Sequence, residues 1–85
     1  MRGILKSYQA KLSPNPNNGS FNILLDEEIK DNIAITVFDI FGELVYSTNA
    51  NGSSLDVNIP DLPLGLYLVK LNSNELNETL KFIKQ

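Results

Sequence analysis

Short apolar runs alternate with polar residues along the chain. Clusters of Gly, Pro, Asn and Ser interrupt them at intervals of roughly 8–12 residues, the spacing of a sandwich or barrel. Phe21, Ile23 and Leu25 alternate with Asn22 and Leu24, which puts them on one face of an extended segment. Residues 33–38 are the most β-prone stretch, with Ile33, Ile35 and Val37 on one face and Ala34, Thr36 and Phe38 on the other. Phe41-Gly42-Glu43 makes a tight connection from there into residues 44–47, which predicts a hairpin. Leu55, Val57 and Ile59 alternate with Asp56 and Asn58, a strand with one wet face. Residues 66–71 are apolar on both faces, residues 78–84 form a last strand, and a further run at residues 4–12 precedes them all. No 3.6-residue period is sustained, so helix is not expected. Without βαβ spacing, these runs predict an all-β chain, an immunoglobulin-like sandwich of about seven antiparallel strands in two sheets.

The punctuation between the runs has its own chemistry. Pro14 holds Ser13 extended and cannot donate to a ladder, so the first run ends there. Pro14 and Pro16 around Asn15 stiffen the turn and limit the freedom of the unfolded chain. Asn17-Asn18-Gly19 then supplies residues that tolerate positive φ. Residues 26–32, 49–54 and 72–77 are predicted as loops or turns, and Pro60-Asp61-Leu62-Pro63-Leu64-Gly65 as a constrained turn. In sandwiches of this kind a tyrosine near the start of the sixth strand bonds the chain just upstream, and an inward residue follows two positions later. Tyr67, following Gly65 and preceding Val69, fits those places. The competing reading is a plain strand tyrosine with a hydrated hydroxyl.

Composition narrows the function classes. Eighty-five residues make one domain, a size at which folding buries about 60% of the surface of the unfolded chain. With no cysteine there is neither a disulfide framework nor a Cys-based zinc site. With no histidine the commonest general base and metal ligand is missing. A net charge of −3 and a pI near 4.7 argue against a nucleic-acid partner, which needs clustered basic surface. The apolar runs are too short for a membrane span. Residues 1–12 contain Arg2 and Lys6 but no apolar core of a secretory signal.

Few side chains suggest chemistry. Asp26-Glu27-Glu28 with Asp31 could offer carboxylates to calcium, and residues 49–54 could offer carbonyls, but neither has the ligand spacing of a calcium loop. Asp39 and Glu43 flank a turn in the manner of a glycosidase pair, without tryptophan for a sugar platform. Ser53 and Ser54 have no histidine to activate them. The expectation is a protein with no catalytic, metal or cofactor site.

Taken in order, the Pro14-Asn15-Pro16 turn, the segment from Ile33 to Tyr46 with Asp39 and Gly42, the Gly65-Leu66-Tyr67-Leu68-Val69 strand and the closing Lys81-Phe82-Ile83-Lys84-Gln85 resemble a known pattern. They are similar to the type A C-terminal sorting domain of cargo proteins of the bacterial type IX secretion system, over residues 12–85. The resemblance implies a non-enzymatic secretion signal that directs a larger cargo across the outer membrane. It implies as partners an outer-membrane translocon, a shuttle component and a sortase-like signal peptidase that cuts near residues 7–12. The cargo would pass through the periplasm and end secreted or at the cell surface. Such cargo carries an N-terminal signal, so Met1-Arg2-Gly3 is expected to be an introduced start. Residues 1–11 would then be a linker or first strand on an excised terminal domain. The alternative, from another class, is an accessory β-sandwich, carbohydrate-binding or a spacer or adhesion module, of a secreted enzyme or adhesin.

Two surfaces are left as candidate partner sites. Lys81, Phe82, Ile83 and Lys84 close the last strand, where lysines either guard an edge or are read as the signal. Leu64, Leu66 and Leu68 share the face opposite Tyr67, Val69 and Leu71. That face is either covered, for instance by residues 4–12, or an exposed apolar patch that marks a contact.

Overall fold

The computed structural model describes residues 9–85. They form β1 (Ala10–Ser13), β2 (Ser20–Phe38), β3 (Leu44–Asn58), β4 (Gly65–Asn72) and β5 (Asn77–Lys84). All pairings between these strands are antiparallel, and no described residue is helical. The all-β expectation therefore holds. In place of about seven strands in two sheets, the structure has five in one sheet, ordered β1-β2-β4-β5 with β3 also paired to β2.

The difference lies in the segments predicted as loops. Residues 26–32 continue β2, and residues 49–54 continue β3, so each long strand absorbs two of the expected short ones. The pairing passes from Leu24↔Ser54 to Ile29↔Gly52 and then to Ile33↔Ala50, with register shifts at both steps. The surplus β2 residues bulge outward, a device that bends a strand. Ile29 lies in that stretch fully buried, while Asp26, Glu27, Glu28, Lys30 and Asp31 face water. Gly52, at φ +106°, meets the bend from the partner strand. In sequence, such a charged bulge has the composition of a loop.

The bend folds the β2–β3 ribbon over on itself. The first half of β2 pairs with β1 and the end of β3, and its second half pairs with the start of β3 and with β4. Residues from opposite halves then meet, Phe21 of β2 lying 4.6 Å ring to ring from Phe82 of β5. Beyond the strands the seam is fastened where Asn17 bridges to Lys84. The curled sheet thus wraps a single core.

The predicted alternation fills that core. Phe21, Ile23 and Leu25, then Ile33, Ile35 and Val37, then Leu55 and Val57, and finally Tyr67, Val69 and Leu71 all point inward. Each such apolar side chain contributes about 1.5–3 kcal/mol by leaving water. Leu76 joins them from the β4–β5 turn, held where Ser73 N–H donates to Leu76 O at 2.8 Å and Leu76 N–H donates to Ser73 Oγ at 3.1 Å. Composition gave no sign of an anchor in that turn. The run expected at residues 4–12 is seen in its described part as β1, and residues 4–8 lie outside the described residues.

Candidate functional site

Strand alternation divides the last strand between core and surface. Phe82 is fully buried, Lys81 and Ile83 are exposed, and Lys84 is half-buried. The Phe82 ring sits between two others, 4.6 Å from Phe21 at 40° and 5.4 Å from Tyr67 at 21°. Of the terminal residues singled out in the sequence, Lys81 and Ile83 are therefore the ones most open to a partner, and Phe82 holds the strand down.

The Pro14-Asn15-Pro16 turn runs along the outer edge of this strand. Ile83 N–H donates to Asn15 Oδ1 at 2.9 Å, and Asn15 Nδ2 donates to Lys81 O at 3.4 Å. The carboxamide, itself a donor and an acceptor, stands in for a paired backbone. Two backbone bonds continue the edge, from Asn17 N–H to Ile83 O at 2.9 Å and from Gln85 N–H to Asn17 O at 2.8 Å. The turn does more than stiffen the chain: it pairs with the terminal strand across more than sixty residues of sequence. Pro14 and Pro16 are exposed, and both preceding peptide bonds are cis.

Asn17 and Gly19 hold the turn in shape, and neither role was read from the sequence beyond their tolerance of positive φ. Asn17 is the one buried polar side chain among the described residues. Its Nδ2 donates to Pro14 O at 3.0 Å, and its Oδ1 accepts from Gly19 N–H at 2.8 Å, so the buried amide is satisfied. Gly19 has φ +102°, and a Cβ there would lie 2.5 Å from Ile59 O. Ile59 N–H donates to Gly19 O at 2.7 Å, so the two backbones approach too closely for any side chain. The Asn-x-Gly spacing was the available signal, since Asn bonds its own backbone two residues on.

The remaining motif residues build two more turns. Tyr67, buried in the core, donates from its hydroxyl to Pro63 O at 2.6 Å, the expected bond to the chain just upstream. Gly65 begins the strand and Val69 is fully buried. Between β2 and β3, Asp39 Oδ1 accepts from Phe41 N–H and Glu43 N–H, both at 2.9 Å, and Gly42 takes φ +81°. The Asp39 carboxylate thus closes its own turn. Asp26 likewise accepts from Gln9 N–H at 3.2 Å, and Asp31 from Asn74 Nδ2 at 3.4 Å. No cluster of three or more metal-type ligands occurs among the described residues.

Leu64, Leu66 and Leu68 are exposed, so the outer face of β4 presents an apolar patch. Cross-strand partners share a face, and the register places Leu66 beside Ile83, and Leu68 between Lys81 and Phe38, with Leu44 beyond Phe38. Lys70 spans the Phe38 ring at 5.4 Å. Past the end of the strands the patch continues into a groove of about 250 Å³ between the turn at Ile40 and Phe41 and the turn at Pro63 and Leu64.

The family described as the secretion system C-terminal sorting domain matches residues 11–85. No curated protein matches the chain.

Proposed function

Because the chain belongs to the family of secretion system C-terminal sorting domains, we propose that it directs a larger cargo protein across the outer membrane by the type IX system. The match over residues 11–85 is the observation that supports this reading. In it, the sorting unit begins with β1 at Ala10, two residues earlier than expected, and the residues before β1 serve as a linker. The cargo crosses the periplasm and ends secreted or on the cell surface. The partners are proteins: the outer-membrane translocon, a shuttle component and a sortase-like peptidase. Ala10–Ser13 are paired in β1, so a cut within them would first have to unpair the strand; we place the cut upstream of β1.

The signal is the closing strip of β5. Lys81 and Ile83, on the outward face, are the residues read, and Phe82, on the other face with half-buried Lys84, anchors them through the core. Asn15 and Asn17 pair with the strip at its edge, so a partner meets it face-on and does not add a strand there. The accessory-module alternative has less behind it. Phe21, Tyr67 and Phe82 lie in the core, away from any sugar platform.

The test is a periplasm-directed reporter carrying this domain at its C-terminus, in a bacterium with a type IX system and in the same strain lacking the translocon. The reporter reaches the surface or medium only with both domain and translocon present; retention in the periplasm, or export without the translocon, overturns the reading. Lys81→Gln with Lys84→Gln lowers export while the melting temperature stays within a few degrees, because exposed charges contribute little to stability. Full export of that variant assigns the lysines to edge protection alone.

A further inference from the structure

The outward face of the second half of the sheet is unlike the rest of the surface. By register it is built from Leu66, Leu68, Lys70 and Asn72 of β4, the facing positions of β5 (Ile83, Lys81, Thr79, Asn77), and Phe38, Thr36 and Ala34 of β2 with their β3 partners. None of these positions carries Asp or Glu, although the chain holds ten acidic residues and a net charge of −3. Its charges are the two lysines, Lys70 and Lys81, beside an apolar centre of Leu66 (43% exposed), Leu68 (37%) and Ile83 (48%). An exposed apolar patch of this kind costs solubility and marks a contact surface.

We infer that this face docks a protein partner whose own surface is apolar at its centre and bordered by carboxylates. Charge sets the choice. The lysines would attract such a border and speed encounter, while like charge rejects other partners. A second copy bound through the same face would set Lys70 and Lys81 against themselves. Strand addition at the end of β5 is blocked by Asn15 and Asn17, whose bonds occupy Lys81 O, Ile83 N–H, Ile83 O and Gln85 N–H. A partner reaching the terminal strip therefore comes to its outward face, where Ile83 and Lys81 continue directly into Leu66 and Leu68. The address would be a two-strand surface, with β4 as much a part of it as the chain end. The inference rests on the sorting reading above and extends it to residues far from the terminus.

The test uses the same reporter, with the melting temperature of each purified 85-residue variant measured alongside export. Leu66→Ser with Leu68→Ser removes the apolar centre, and Lys70→Glu with Lys81→Glu reverses the charge without removing core packing. Lys11→Glu with Leu24→Ser is the matched control on the opposite outer face, where Lys11 and Leu24 are cross-strand partners. The parent and the control are expected to be exported equally. Both face variants are expected to lose at least tenfold in export with unchanged melting. Should the serine pair unfold, the charge reversal still decides. Parental export from folded face variants overturns the docking face and leaves the sorting reading standing; no export from the parent overturns both. Sedimentation of the parent as a dimer that Leu66→Ser with Leu68→Ser dissociates would make the occupant a second copy. Co-sedimentation with phosphatidylglycerol vesicles, lost in the lysine variant, would make it a lipid surface. Either result overturns the protein-partner assignment.

Discussion

The two halves of the curled sheet share one core and have opposite exteriors. On the outside of the first half, Asn22 Nδ2 reaches Ser54 Oγ at 2.8 Å and Asp56 Oδ1 at 2.9 Å, and Ser20 bonds Asn58. Among the described residues, the large apolar side chain exposed there is Leu24. On the outside of the second half the equivalent positions carry leucines, Ile83 and lysines. Folding explains the first pattern, because a polar ladder satisfies its own groups and keeps the face soluble. It does not explain the second. Inward alternation is equally regular in both halves, so the excess of apolar surface on one of them points to a role outside the fold.

The comparison predicts that stability follows the inner face irrespective of half, and that the outer faces matter little to it. The largest effect belongs to Phe82→Ala, which empties the site between Phe21 and Tyr67. A loss of about 3–5 kcal/mol is expected, enough to unfold a domain of this size, and chemical denaturation reads it. A loss below about 1 kcal/mol would show that the terminal strand is not integral to the core. Truncation after Thr79 removes the same ring, so lost export after truncation would not separate address from fold. Point variants at Lys81 and Ile83 make that separation.

Tyr67→Phe is expected to cost about 1 kcal/mol, the net worth of the bond to Pro63 O. In an 85-residue domain this lowers the melting temperature by roughly 4–8 °C. An unchanged melt would return Tyr67 to a plain strand residue. The smallest effects come from the outer faces. Asn22→Ala should cost about 0.5–1 kcal/mol through its two cross-strand bonds, and Leu66→Ser should stay within about 0.5 kcal/mol. A large loss from Leu66→Ser would mean that the apolar face serves the fold, and the contrast between the halves would lapse.

Much of the molecule was legible in the sequence, for a local reason. Period-two alternation assigns each strand residue to a face regardless of what lies opposite, which is why Phe21, Ile33, Leu55, Tyr67 and Phe82 could be assigned to strands from their chain neighbours alone. Tyr67 was also placed by local chemistry, since its bond reaches only as far as Pro63. The charged segment 26–32 misled because bulge and loop share a composition. What separates them is whether the partner strand continues, and that depends on residues 49–54 more than twenty positions further on.

By itself, then, the sequence determined an all-β chain, the division of its strand residues between two alternating faces and the ordered motifs that place it in its family. Alternation, turn chemistry and residue type are properties of neighbours in the chain, so they survive without a fold. Only the tertiary structure decided that seven runs become five strands in one curled sheet, that Asn15 and Asn17 hold the edge of the final strand, and that Leu66, Leu68, Ile83 and the two lysines share one face free of carboxylates. Each of these depends on register between distant segments, and register is fixed by burial of the whole core at once, because a one-residue slip would turn every inward side chain to water.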